Sequence, residues 1–355
     1  MTSQKAAQIA SFDPNGPGIA GSLFGLPFTP ETSELIIIPV PWETTVTYRA
    51  GTALGPAAIL EASRQIDFYM REIPDAWKMG VTLLPISSDI LAENYRLRSL
   101  VDNIRQLNDE STQPDTARVL QDKVNEGHEN LHVFTQKTAE HWLKQGKRVA
   151  ILGGDHSSPL GLLRALSGKF ERFGVLQIDA HADLRRNYEG FTYSHGSIMY
   201  NTMKIPAVSK LVQVGIRDFC EEEAAAMNRV PGRVKTFFDE DLNAQLNSHS
   251  SWSELTKQIT DQLPSHVYIS FDIDGLRPDL CPHTGTPVPG GLDFYQATQL
   301  IKAVALSGRT IIGFDLCEVA PGSDGWDAIV GSRILWHLAH WMGVSNGWLK
   351  PVAVK

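Results

Sequence analysis

The sequence has 355 residues, 42% of them hydrophobic, and a formal net charge of −8. A chain of this length and composition can bury a large core, organised as one α/β domain or two. An acidic chain without a cluster of Lys and Arg is poorly suited to nucleic acid. The sequence has no apolar run long enough to span a membrane, and residues 1–15 lack the apolar core of a signal peptide.

The three cysteines, Cys220, Cys281 and Cys317, are odd in number and lack zinc-site spacing. A disulfide framework is therefore not expected, and a reducing compartment fits better. We predict a cytoplasmic protein with neither nucleic-acid nor membrane partners.

Apolar runs bounded by turn residues predict seven strands. The first covers residues 35–40 and ends before Pro41, because proline cannot donate to a sheet ladder. The others are predicted at 149–152, 175–178, 211–214, 234–238, 267–271 and 310–316. Helices are predicted at 56–69, 130–145, 159–166, 253–262, 294–306 and 326–342. Residues 95–120 between them are polar and mixed in charge.

Alternating strands and helices predict an α/β fold, a three-layer sandwich in which helices cover both faces of a central parallel sheet. Residues 35–355 are expected to form one domain, since no break in composition divides them. Residues 1–34, with several glycines and prolines, are expected to form an irregular arm that lies on a neighbouring subunit. The functional site of such a fold lies at the carboxyl ends of the strands.

Acidic residues and histidines follow three of the predicted strands. The segments are 153–157 (Gly-Gly-Asp-His-Ser), 179–183 (Asp-Ala-His-Ala-Asp) and 270–274 (Ser-Phe-Asp-Ile-Asp). Unpaired carboxylates at buried strand ends carry a heavy desolvation cost, so cations are their natural partners. The alternative is that the aspartates cap helices and the histidines fill the core.

The spacing within these segments favours convergence on metal ions. Residues two apart in an extended chain project to the same side, so Asp179, His181 and Asp183 can converge, as can Asp272 and Asp274. With His156 they make six candidate ligands. Six are too many for one catalytic ion with an open position, but they suit two ions that share bridging aspartates. Asp155 is expected to orient the site or cap a turn, and Gly153 and Gly154 to permit close approach of the backbone.

In these three motifs the chain resembles the ureohydrolases, the family of arginases and agmatinases that uses a two-manganese centre. The resemblance extends over nearly the whole chain and implies that residues 35–355 form the catalytic domain. It implies that His156, Asp179, Asp183 and Asp272 hold one ion, and that His181, Asp179, Asp272 and Asp274 hold the other. The hard ligand set favours two Mn²⁺, with Ni²⁺ as the alternative. Arg277 and His283 depart from the family pattern at positions that are not ligands.

The same resemblance identifies the residues that would perform the chemistry. A hydroxide bridging the two ions would be the nucleophile. His195 corresponds to the histidine that passes a proton to the departing amine, and Glu318 to the carboxylate that receives the guanidinium group. Asp183 is counted with them as a catalytic residue. Residues 284–287 (Thr-Gly-Thr-Pro) resemble the substrate loop, whose hydroxyls would be available to the proton shuttle.

The substrate is predicted from one residue of the arginase motif that this chain does not have. Arginases read the α-substituents of arginine partly through an asparagine, and Arg185 stands at that position here. We therefore expect hydrolysis of agmatine or a short ω-guanidino compound to urea and an amine. Arg185 either binds a substrate carboxylate or pairs with Glu189. Free guanidine is the alternative substrate if aromatic residues narrow the pocket, the candidates being Trp42, Phe191, Tyr193, His283 and Trp326.

Other classes fit the sequence less well. A second alternative is an arginase or an inactive family scaffold, although no ligand is missing. A deacetylase-type hydrolase would need one metal and a catalytic histidine pair, which this motif order does not provide. The small cationic substrate is the expected partner, together with further copies of the chain in a homo-oligomer, a trimer or hexamer. A cluster at Trp336, His337, His340 and Trp341 has helical spacing and is expected to serve core packing or a subunit contact.

Overall fold

A computed structural model describes residues 2–110 and 113–353 of the chain. Within those residues, eight strands form one parallel sheet. They are β1 (Leu35–Val40), β2 (Val81–Leu83), β3 (Arg148–Gly153), β4 (Phe173–Ile178), β5 (Val208–Ile216), β6 (Val234–Phe238), β7 (His266–Asp272) and β8 (Thr310–Cys317). Their order is β2-β1-β3-β8-β7-β4-β5-β6. The seven predicted strands are present, while the short edge strand β2 was missed because three residues carry too little pattern.

Eleven α-helices lie within the described part of the chain. They are α1 (Ser3–Ser11), α2 (Gly55–Ser63), α3 (Ser88–Glu110), α4 (Pro114–Lys144), α5 (Leu160–Ser167), α6 (Ile198–Thr202), α7 (Glu221–Asn228), α8 (Asp239–Asn247), α9 (Trp252–Asp261), α10 (Phe294–Leu306) and α11 (Trp326–Ser345). The predicted helix 56–69 is too long, since α2 ends at Ser63. The helix predicted at 130–145 is only the second half of α4. Helices α1, α3, α6, α7 and α8 were not predicted.

Two apolar cores lie on opposite faces of the sheet, as the three-layer prediction requires. Neighbouring residues of one strand point to different cores: Ile37 belongs to one and Ile38 to the other. This alternation follows from the pleat of a strand. Side chains of α9, α10 and α11 fill the first core, and those of α3, α4 and α5 fill the second. The predicted α/β sandwich is confirmed.

The arm before β1 is irregular only in part, because it contains a helix that the sequence analysis did not predict. It begins with α1, where the Thr2 side chain accepts a hydrogen bond from the amide of Lys5, a normal N-terminal cap. The ring of Phe12 lies 5.3 Å from that of Trp77, and Phe24 lies edge-on to Trp336 at 4.8 Å. The arm is thus packed on its own chain. Its contact with a neighbouring subunit and the domain division at residue 34 stay predictions.

The cluster near the chain's end serves packing, as predicted. Trp336, His340 and Trp341 are buried, and the His340 ring lies 3.9 Å from that of Trp336. These side chains fix α11 against the sheet, far in sequence from the motifs that follow the strands.

Candidate metal centre

The four central strands deliver the predicted metal ligands to one edge of the sheet. Strands β3, β8, β7 and β4 are neighbours in that order, and their carboxyl ends meet there. His156 follows β3, Asp179 follows β4, Asp272 ends β7, and Asp274 lies in the 3-10 turn Ile273–Gly275. Close approach depends on glycine, because a Cβ at Gly154 would lie 2.0 Å from the Trp42 carbonyl oxygen.

One cluster surrounds the buried ring nitrogen Nδ1 of His156. This atom lies 3.1 Å from Asp179 Oδ2, 3.0 Å from Asp183 Oδ2 and 3.3 Å from Asp272 Oδ2. It has hydrogen-bond geometry to none of them. A buried nitrogen lone pair that faces three carboxylate oxygens suits a shared cation.

The second cluster surrounds His181. Its Nδ1 lies 3.1 Å from Asp274 Oδ2 and 3.7 Å from Asp179 Oδ1. Asp179 therefore contributes to both clusters, which could each hold a metal ion. The structure brings together all six predicted ligands.

Three of the four carboxylates of this centre also accept a backbone hydrogen bond with one of their oxygens. Asp179 Oδ1 accepts from the amide of His181 at 2.6 Å, Asp272 Oδ1 from that of Asp274 at 2.9 Å, and Asp274 Oδ1 from that of Ala180 at 3.1 Å. The other oxygen points into the clusters. The aspartates do cap local turns, as the alternative interpretation held, but capping uses only one oxygen of each.

Burial of so many acids is electrostatically costly in the protein alone. Burial and the neighbouring Asp179 carboxylate raise the pKa of Asp183 to about 7. Burial, together with Asp274 and Asp179, also raises the pKa of Asp272 well above its ordinary value. Two cations in this position would relieve the repulsion, so the residues present fit a pair of divalent ions.

The far side of His156 is fixed by a hydroxyl and a carboxylate. Its Nε2 lies 2.8 Å from Ser270 Oγ, which donates to Asp315 Oδ1 at 3.2 Å. This contact orients the ring so that Nδ1 faces the cluster, the usual arrangement for a histidine ligand. Asp155 caps the next turn, as predicted, by accepting from the amide and hydroxyl of Ser157 at 3.0 and 2.5 Å.

Glu318 and Asp183 hold unusual backbone conformations beside this centre. Their φ angles are 63° and 54°, in the left-handed region that residues with side chains seldom adopt. Glu318 Oε1 accepts from the amide of His156 at 2.9 Å. Burial, followed by repulsion from Asp155, raises the pKa of Glu318 well above its ordinary value. A cationic substrate group beside Glu318 would offset this repulsion and favour the charged carboxylate.

His195 lines the same pocket. Its Nδ1 is 3.4 Å from Thr45 Oγ1, and its ring meets Tyr188 edge-on at 5.6 Å. Desolvation, aided by nearby cationic groups, lowers the pKa of His195 to about 3. The predicted hydroxyls are placed differently, because Thr284 donates to the carbonyl of Glu318 and Thr286 lines the wall. Thr45, which the sequence analysis missed, is the hydroxyl nearest His195.

A cavity of about 280 Å³ connects these residues to the surface. Its walls include Thr47, Tyr48, Arg185, Tyr188, Asp218 and Glu223. The prediction that Trp42, Phe191, Tyr193, His283 and Trp326 narrow the pocket is wrong, since none of them lines it. Trp42 and Phe191 are instead buried, and Trp326 donates to Asp279 at the surface.

Arg185 does not pair with Glu189, so that part of the prediction is wrong. Its Nε lies 3.6 Å from Glu223, and its guanidinium group stacks over Tyr188 at 5.0 Å. Glu189 instead accepts from Arg105 at 2.8 Å. The pocket mouth therefore carries a paired arginine and a second acid, Asp218. Asp218 follows strand β5, so the strand-end rule could have found it.

The two positions that depart from the family pattern lie outside the pocket. Arg277 forms an ion pair with Asp279. His283 donates its amide to Asp327 at 2.9 Å and its ring lies 2.7 Å from the same carboxylate. His283, Asp324 and Asp327 form a further group of potential ligands. Within this group, both carboxylate oxygens of Asp327 already contact the amide and the ring of His283.

Comparison with known proteins agrees with this geometry. The arginase family model matches residues 33–340. An N(1)-aminopropylagmatine ureohydrolase of Thermus thermophilus is 30% identical over 334 residues, which cover 92% of this chain and 97% of that protein. An agmatinase of Neisseria meningitidis serogroup A is 30% identical over 322 residues, 88% of this chain and 89% of that protein.

Solved structures show the same fold. The agmatine ureohydrolase of Thermoplasma volcanium superposes with a TM-score of 0.68 at 20% identity, covering 96% of this chain and 99% of that chain. The arginase of Bacillus subtilis gives 0.62 at 20% identity, over 86% of this chain and 98% of that chain.

Fold and site together define an α/β sandwich protein with two adjoining groups of residues that could hold metal ions. The chain belongs to the arginase family, and the prediction of a ureohydrolase is confirmed. Among the described residues, no helix combines the length and apolar character needed to cross a membrane.

Proposed function

We propose that this ureohydrolase cleaves agmatine or a short ω-guanidino compound to urea and the corresponding amine. The supporting observation is Glu318, which is buried, has no cationic partner among the described residues, and lines the same cavity as members of the two ligand clusters and Asp218. A planar guanidinium group can donate two parallel N–H bonds to such a carboxylate. The names of the two relatives also point to agmatine and its aminopropyl derivative.

In this proposal His156, Asp179, Asp183 and Asp272 hold one divalent ion, and His181, Asp179, Asp272 and Asp274 hold the other. When bound, the two ions would supply a nucleophile by lowering the pKa of water. Glu318 binds and orients the guanidinium group at its carboxylate. His195, which is neutral near pH 7 because its pKa is lowered to about 3, would take a proton from the nucleophile and pass it to the departing amine, and Thr45 supports its ring. Asp183 completes the catalytic set at the pocket wall.

The metal proposed is manganese, with nickel as the alternative. Four aspartates and two histidines make a hard donor set, although supply and geometry also select the metal. Asp272→Asn would remove a shared negative charge, so we expect loss of metal and of most metal-dependent turnover. Metal content after dialysis measures the first effect, and Asp279→Asn at the surface is the control. Two ions with full turnover in Asp272→Asn would refute the shared-ligand assignment.

The substrate experiment is a panel read by urea release from protein reloaded with Mn²⁺ or with Ni²⁺. We expect agmatine or a short ω-guanidino compound to be cleaved, and arginine to be at least tenfold worse in kcat/KM, about 1.4 kcal/mol. Asp218, an acid on the cavity wall, favours a substrate with a second cationic group.

Other outcomes discriminate the alternatives. Equal or better turnover of arginine would make the protein an arginase. Activity confined to free guanidine would support the guanidine hydrolase, although the aromatic residues expected to close the pocket do not line it. Protein that binds neither metal and cleaves nothing would be an inactive scaffold.

We further propose a cytoplasmic homo-oligomer, a trimer or hexamer. Three free cysteines, two of them buried, are consistent with a reducing compartment. Light scattering coupled to size exclusion would give the subunit number, and localisation of a tagged full chain would give the compartment.

A further inference from the structure

A row of polar side chains crosses three neighbouring strands of the sheet one layer below the candidate metal centre. Gln177 of β4 is the register partner of Gln213 of β5, which is the partner of Thr236 of β6. Because register partners point to the same face of a sheet, the three side chains lie side by side. Both glutamines are fully buried. Polar side chains in the interior of a parallel sheet are costly unless every group is paired.

Hydrogen bonds join this row to the metal centre in one direction. Thr236 Oγ1 donates to Gln213 Oε1 at 2.8 Å, and Gln213 Nε2 donates to Gln177 Oε1 at 2.7 Å. Gln177 Nε2 then donates to Asp179 Oδ2 at 2.7 Å. This is the oxygen of Asp179 that lies 3.1 Å from His156 Nδ1.

The second N–H of each glutamine holds the chain that follows Asp179. Gln177 donates to the carbonyl of His181 at 3.1 Å, and Gln213 donates to that of Ala182 at 2.9 Å. All four amide N–H groups are thus used, and flipping either amide would set its oxygen against acceptors. Two successive carbonyls are fixed just before Asp183, whose backbone is left-handed.

We infer that Gln177, supported in turn by Gln213 and Thr236, is a positioning residue that fixes Asp179, His181 and Asp183 in the geometry that holds metal. We call Gln177, Gln213 and Thr236 the amide ladder. The inference rests on the proposed metal centre. The ladder touches no substrate, and it acts by holding a shared ligand oxygen and the backbone of two other ligands. A site binds its metal ion less tightly when the hydrogen-bond partner of a carboxylate ligand is removed.

The test measures Mn²⁺ affinity by chelator competition with purified full-length protein, without substrate. Gln177→Met keeps the side-chain volume and removes both donors, so the Mn²⁺ dissociation constant should rise by about 10- to 100-fold. Gln213→Met should have a smaller effect, and Thr236→Val the smallest. Ser209→Ala on β5 removes a hydroxyl that donates to the Phe173 carbonyl, remote from the ligand loop, and serves as the control.

A second measurement separates positioning from simple structural support. Urea unfolding of the metal-free variants reports stability alone. Lower stability with wild-type Mn²⁺ affinity in Gln177→Met would overturn the inference, as would equal affinity changes in the ladder variants and the control. If Gln177→Met does not fold, Gln213→Met decides: a raised dissociation constant supports the ladder, and an unchanged one refutes it.

The result is independent of the substrate. If Mn²⁺ affinity falls progressively less from Gln177→Met to Gln213→Met to Thr236→Val while the wild-type protein cleaves no guanidino compound, the amide ladder is supported and the proposed reaction is refuted. Wild-type protein that binds no Mn²⁺ or Ni²⁺ would refute the metal centre and the ladder together.

Discussion

His195 meets a hydroxyl rather than a carboxylate in the pocket. Its Nδ1 lies 3.4 Å from Thr45 Oγ1, and its ring is held edge-on by Tyr188. If His195 only delivers a proton to the leaving amine, His195→Ala should keep both metals and lower kcat by about 10²- to 10⁴-fold. Steady-state kinetics and metal content measure the two effects. Metal loss would make His195 structural, and a normal rate would exclude it from the mechanism.

Glu318 combines an unusual backbone with a carboxylate that has no cationic partner among the described residues. Glu318→Gln keeps the shape and the oxygen that accepts from His156, but removes the charge. We therefore expect hydrolysis of every guanidino substrate to be abolished while both metals stay bound, as measured by urea release and metal analysis. Asp324→Asn, an exposed acid, is the control. Residual turnover of one substrate class would show that Glu318 binds the rest of the substrate instead of its guanidinium group.

At the scale of elements, helix α3 fixes two pocket loops at once. Arg105 donates to the carbonyls of Thr45 and Val46, both at 3.3 Å, and to the Glu189 carboxylate at 2.8 and 2.9 Å. Glu189 follows Tyr188, so one guanidinium group ties the loop that carries Thr45 to the loop that carries Tyr188.

Arg105→Gln should therefore loosen the pocket without touching the metal ligands. Each lost hydrogen bond is worth about 1 kcal/mol, so kcat/KM should fall by roughly tenfold or more. Mn²⁺ content should be unchanged. Arg96→Gln on the same helix breaks only an exposed pair with Glu93 and is the matched control. Equal kinetics in the two variants would show that the Arg105 contacts do not order the pocket.

The strands, and the side chains that come together at their carboxyl ends, were predictable because their signals are local. Each central strand is an apolar run followed at once by an acid or a histidine, and parallel strands bring such ends together. The first half of α4 and all of α3 were missed, because their apolar positions are sparse among charges. Leu97, Val101 and Ile104 are nevertheless buried at helical spacing. The pocket walls were not predictable, since the paths of their loops depend on tertiary contacts such as those of Arg105.

At the scale of the whole molecule, both cores enclose histidines that cannot easily carry charge. His128 lies behind Trp42 on one face of the sheet, and His340 lies against Trp336 on the other. One ring nitrogen of each has no hydrogen-bond partner. Burial lowers the pKa of His128 to about 4 and that of His340 to about 3.

Acid should therefore destabilise the protein through these histidines. In the unfolded chain a histidine binds its proton near pH 6.5, whereas folded His128 does so near pH 4, so the unfolded state gains protons first. The contribution of neutral His128 to the free energy of unfolding is fully present above pH 6.5, and it is lost as the pH falls towards 4. Between pH 7 and pH 5 the loss is about 2 kcal/mol.

The variant His128→Leu should lack the part of the pH dependence of unfolding that comes from His128. The free energy of unfolding of the variant at pH 7 is also expected to differ from that of the wild type. Urea unfolding of metal-free protein at pH 7 and pH 5 measures the change, and metal-free samples exclude effects of ion release. The drop from pH 7 to pH 5 should be smaller in the variant by about 2 kcal/mol. His141→Gln, an exposed histidine on the same helix, should keep the wild-type drop. An equal drop in all three proteins would show that His128 gains its proton as readily when folded as when unfolded.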